Sequence, residues 1–112
     1  MPASHEDAKL IVQLVRWGSE SGLDEAVHAL FAEDFRPAEA TVDNPSIRKV
    51  LQFGEVVGTL VKQGVLDRAL VIDLWWITGI WGRVQAAALR QREKMGEPRL
   101  YENFESLAEN ST

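Results

Sequence analysis

The stretch from Asn44 to Gly64 constrains this chain more than any other. Asn44 is a natural helix cap, and Pro45 suits the first helical position, where a missing N–H costs nothing. The spacing predicts a helix to about Gln63, stopped by Gly64. At about 100° per residue, Arg48, Gln52, Glu55, Thr59 and Lys62 fall within about 80° of one another. Nearly every other position is apolar or glycine: Ile47, Val50, Leu51, Phe53, Gly54, Val57, Gly58, Leu60 and Val61. So wide an apolar arc touches several partners at once, which places this helix at the centre of the fold. Gly54 and Gly58, one turn apart, bare a strip of backbone that a neighbour can approach closely. Either a helix of the same chain fills that notch or a second copy of the chain does.

The flanking segments also read as helices, and none reads as a strand. Ser4 can cap a first helix, with Glu6 and Asp7 at its positive end and Leu10, Leu14 and Trp17 on its apolar face. Gly18 is the expected left-handed stop. A second helix is expected from about Gly22 to Asp34, capped by Ser21, with Leu23, Val27, Leu30 and Phe31 on one side. The segment 36–44, with Pro37 and the Asn44-Pro45 pair, reads as a surface loop open to variation. Asp67 caps a fourth helix, with Leu66 and Val71 as a hydrophobic staple. Thr78-Gly79 is the expected break before a fifth helix to about Met95, ended by Gly96 and Pro98. A last short helix covers about Leu100 to Asn110. One domain over residues 1–112 follows, with frayed ends at 1–3 and 111–112.

Charge and composition then remove whole classes of function. Lys plus Arg total 12 against 17 Asp plus Glu, a net charge of −5. A nucleic-acid binder needs a basic face, and the one basic cluster, Arg83 to Arg99, is interrupted by Glu93 and Glu97. The absence of cysteine removes disulfides, thiolate zinc sites and a cysteine nucleophile. The most apolar segment runs from Ala69 to Trp81 and contains Asp73 and Gly79, well short of the roughly 20 residues a bilayer span needs. The polar start resembles no signal peptide. A cytoplasmic protein with no membrane and no nucleic-acid partner is expected.

The chemistry-bearing residues are few. Glu55 lies between apolar neighbours and could be desolvated into a general base, or could form an ion pair with Arg92, or face solvent. Asp73 interrupts an apolar run and is expected to face water. Trp75 and Trp76 point about 100° apart, so both cannot enter one core. With Trp81 they are the best lead to a binding surface, since tryptophan anchors interfaces. His28 lies one turn from Asp24, too little for a metal site. There is no H-E-x-x-H, phosphate-binding loop or nucleophile elbow, and neither a metal nor a cofactor is expected.

The run Phe53-Gly54-Glu55-Val56-Val57-Gly58-Thr59-Leu60-Val61, then Gly64-Val65-Leu66-Asp67, Trp81, Arg92 and Gly96-Glu97-Pro98-Arg99-Leu100-Tyr101-Glu102-Asn103-Phe104-Glu105-Ser106-Leu107-Ala108 resembles a bacterial family known only as a domain of unknown function, number 4760. The resemblance covers about residues 45 to 110, and its most specific piece is Tyr101-Glu102-Asn103-Phe104-Glu105. It implies a small all-α protein and no catalytic residues.

The expectation is therefore an all-α, compact bundle of five to six helices around the glycine-notched one. The favoured function is a non-enzymatic interaction module that binds a protein partner or itself, as a homodimer. The alternative is a small-ligand-binding or minor hydrolytic protein, its pocket lined by Trp75 or Trp76, Trp81, Glu55 and Tyr101.

Overall fold

Ser4 opens the first helix through a reciprocal cap: its Oγ accepts from the Asp7 N–H at 3.2 Å, and Asp7 Oδ2 accepts from the Ser4 N–H at 2.8 Å. From there a computed structural model describes residues 3–109. The elements are α1 (His5–Ser21), α2 (Leu23–Leu30), a 3-10 turn (Pro37–Glu39), α3 (Pro45–Lys62), α4 (Arg68–Leu74), α5 (Ile77–Met95) and α6 (Glu102–Glu109). Among the described residues there is no strand, and the protein is an all-α bundle. Apart from Ala3, the ends expected to fray lie outside the described residues.

Two sequence-based boundaries move for a visible reason. Gly18 does not stop α1. It is buried within the helix, where an added Cβ would lie 3.0 Å from Leu23 Cδ2 and 3.5 Å from Phe53. It therefore brings α1 close to α2 and α3. The left-handed stop is Gly22, φ +80°, which ends α1 and begins α2. Ser21 does not cap α2; its Oγ donates to the Gly18 carbonyl at 3.2 Å. At the other end α2 stops at Leu30 rather than Asp34. There Arg83 Nε, from α5, donates to the Leu30 carbonyl at 2.7 Å and satisfies a group the helix end leaves open.

The break between α4 and α5 falls at Trp75-Trp76, not at Thr78-Gly79. Trp75 is extended (φ −121°, ψ 142°) and sends its ring inward, edge-on to Phe53 at 5.6 Å. Gly79 stays helical, because the Trp76 ring occupies the space its missing side chain leaves.

The core is continuous across all the helices. Leu14, Leu30, Ile47, Leu51, Val57, Val71, Val84 and Phe104 are buried, and α3 contributes the largest share. Trp17 stacks on Phe53 at 5.1 Å, tying α1 to α3. The segment 36–44 is braced rather than bare. Arg48 Nη1 donates to the Val42 and Asp43 carbonyls, Arg90 to the Ala40 carbonyl, and Ala40 and Val42 pack on the core. No helix among the described residues is long and apolar enough to cross a membrane.

Candidate functional site

The glycine notch of α3 is filled by α6. A Cβ at Gly54 would overlap the Phe104 ring, and one at Gly58 would overlap the backbone of Asn103. The notch is thus an intrachain seat, and a dimer contact through it is excluded while α6 occupies it. The seat is completed by charge. Tyr101, φ +62°, turns the chain sharply into α6; the first N–H of this eight-residue helix, that of Glu102, donates to the Arg99 carbonyl at 3.0 Å, and the next two reach outside the segment. Glu55 supplies their cap from α3. Its Oε1 accepts from the N–H groups of Asn103 at 3.0 Å and Phe104 at 2.9 Å. Its Oε2 accepts from Asn103 Nδ2 at 2.9 Å, and that amide also donates to Thr59 Oγ1 at 3.0 Å.

The far end of α6 is held by the opposite charge. Arg68 Nη2, from α4, donates to the Leu107 carbonyl at 3.2 Å. An anion at the N-terminus and a cation at the C-terminus both oppose the helix dipole favourably. Glu55 and Arg92 do not form the ion pair that was one reading of the sequence, because each has a nearer partner on this last segment. Arg92 Nε donates to the Leu100 carbonyl at 2.6 Å, and its Nη2 lies 3.0 Å from Glu105 Oε1 without hydrogen-bond alignment. Three N–H donors, those of Asn103, Phe104 and the Asn103 side chain, hold the Glu55 carboxylate in place.

The pocket imagined from sequence does not assemble. Glu55 and Tyr101 line one open groove of about 460 Å³ along α3, with Gln52, Val56, Thr59 and Leu60. Burial, and secondarily the Glu55 carboxylate, push the Tyr101 phenol above its ordinary pKa. Trp81 is not at a surface; it is 6% exposed and meets Phe104 edge-on at 5.0 Å. Trp75 lines a separate apolar cleft between α2, α3 and α5.

Trp76 alone faces outward, 67% exposed. Its indole stacks on Phe31 at 5.7 Å and 22°, over the bare backbone of Gly79. Arg83, one turn beyond Gly79, sets its guanidinium over Phe31 at 5.1 Å and over Phe35 at 5.3 Å. Phe31, the residue that ends α2, is 41% exposed, so the patch joins the end of α2 to the α4–α5 junction.

Sequence reasoning missed two groups. The sequence offers Arg83 as part of a solvated basic run or as a partner for Asp73, and no local signal marks its contact with Leu30, 53 residues away. Asp7 was read as a helix-end charge, yet its Oδ1 also accepts from the Asp67 N–H at 2.8 Å, tying the start of α1 to the start of α4. These contacts with the Ser4 and Asp67 N–H groups hold its carboxyl below the ordinary value. Asp73 is exposed, as is His28.

Comparison with curated proteins and with solved structures finds no match for this chain. A family match does exist, and it spans residues 6–111, taking in the N-terminal helices that the sequence resemblance left out. The chain belongs to the family described as domain of unknown function DUF4760.

Proposed function

We propose that this chain is a non-enzymatic, cytoplasmic interaction module that uses the Trp76 patch to pair with a second copy of itself. The observation behind this reading is an indole two-thirds exposed yet held in one orientation by Phe31 and by the gap at Gly79. An anchor already fixed loses little freedom on binding, which is how aromatic hot spots contribute most. The patch also carries both halves of a cation–π pair, an open indole face and the Arg83 guanidinium. A two-fold arrangement sets Arg83 of one protomer toward Trp76 of the partner subunit, so the surface is chemically complementary to itself. The Glu55 and Asp7 carboxylates are engaged in holding helices, which favours recognition over reaction.

Light scattering and sedimentation at micromolar concentration test the reading. A dimer is expected, weakened about 30-fold or more by Trp76→Ser, the scale of a hot-spot loss, with the melting temperature nearly unchanged. Gly79→Ala, which displaces the indole without deleting it, should weaken the dimer in the same direction. A strict monomer overturns the proposal, and equal loss of folding and association in Trp76→Ser relocates that side chain to a structural role.

A further inference from the structure

On the opposite side of the Trp75-Trp76 junction, the inward tryptophan closes a narrow cleft of about 140 Å³. Val27 of α2, Phe53 of α3, Ile80 of α5 and Trp75 from the α4–α5 junction form its walls, and Gly54 with the Phe104 ring forms its floor. The floor exists because Gly54 carries no side chain and Phe104 lies across it. A space of this size with apolar walls takes one small ring, as apolar cavities of about 150 Å³ do. Asp24 is the only charged residue on the lining, and it is exposed in the first turn of α2, which puts a carboxylate at the solvent side of an otherwise apolar recess. An apolar recess with one polar group to orient the ligand is the usual form of a small-molecule site.

We infer that this cleft is a binding site for a single-ring arylalkylamine, its ring against Trp75, Phe53 and Ile80 and its ammonium at Asp24. Burial of the ring supplies the affinity, and the carboxylate supplies a preference for a cation over a neutral group of the same shape. Because Asp24 is solvated, that preference is modest and falls with salt. The site shares no side chain with the Trp76 patch and does not depend on self-association.

Benzylamine and its neutral counterpart benzyl alcohol are the probes, followed by amide and indole proton–nitrogen NMR on the full chain. Saturable shifts are expected at the Trp75 indole N–H and at the Val27 and Gly54 amides. Benzylamine should bind up to about fivefold more tightly at low salt, and Asp24→Asn should make the two probes equal. Val27→Phe fills the recess and should abolish both sets of shifts; Ile80→Phe does the same from the other wall should Val27→Phe not fold. Absence of saturable shifts overturns the site. So do shifts that survive a folded filling variant. Equal affinity for the two probes in the unmodified chain overturns the assigned ligand class. Oligomeric mass is read separately, so failure here leaves the dimer reading untouched, and the reverse holds.

Discussion

At the scale of single residues, the same substitution has opposite consequences at two helical glycines. Gly58 faces the Asn103 backbone, which cannot swing aside, whereas nothing lies within 4 Å of a Cβ at Gly82. Gly58→Ala should lower stability by up to about 2 kcal/mol, since overpacking at about 1–3 outweighs the gain of about 1 in helix propensity. Gly82→Ala should raise it by about 0.5–1 kcal/mol. Paired thermal melts decide both signs. A second residue-scale test uses the single tyrosine of the sequence. Its phenol is raised by burial first and by Glu55 second, so absorbance titration should place Tyr101 above the usual value of about 10. Glu55→Gln should bring it part of the way down. A raised tyrosine pKa favours the native state below the ordinary phenol value and loses that advantage as pH climbs through the native one. Glu55→Gln should therefore flatten the alkaline decline in stability.

At the scale of elements, α6 is a helix that its surroundings create. Eight residues are too few to hold a helix alone in water; Glu55, Arg68 and the notch make it one. Phe104→Ala removes the ring that lies over Gly54 and should cost about 3–5 kcal/mol, measured by urea unfolding. The sequence was legible here up to a definite point. The Gly54–Gly58 spacing announced a close approach, because spacing along one helix fixes which side chains share a strip. It could not name the occupant, which lies 48 residues on at Asn103 and is chosen by tertiary packing. The divergence of Trp75 and Trp76 was equally plain from helical geometry. Which one turned inward depended on a break the sequence seemed to place at Gly79, and the glycine turned out to seat an indole rather than to end a helix. The caps at Ser4, Asn44 and Asp67 were readable because each works within three residues of itself. The Arg83 and Arg68 caps were not, because they reach across the fold.

At the scale of the whole molecule, Asp7 and Arg68 join parts of the chain that are far apart in sequence. The Asp7 carboxylate accepts three hydrogen bonds, two from Ser4 and one from the Asp67 N–H. Its depressed native pKa means that its contribution to stability is complete above the ordinary carboxylate range and is lost as pH falls through the native value. Asp7→Asn should accordingly lower the melting temperature at neutral pH, and the gap to the unmodified chain should close on acidification through and below that range. A gap independent of pH would remove the carboxylate from this role. The clamped last helix has a wider consequence: it behaves as a peptide ligand carried by its own receptor. The loop from Gly96 to Tyr101 holds it at an effective concentration of millimolar order. The same segment supplied as a free peptide is a coil in solution and competes for the groove only near that concentration, so the chain answers its own docking site before any outside sequence can.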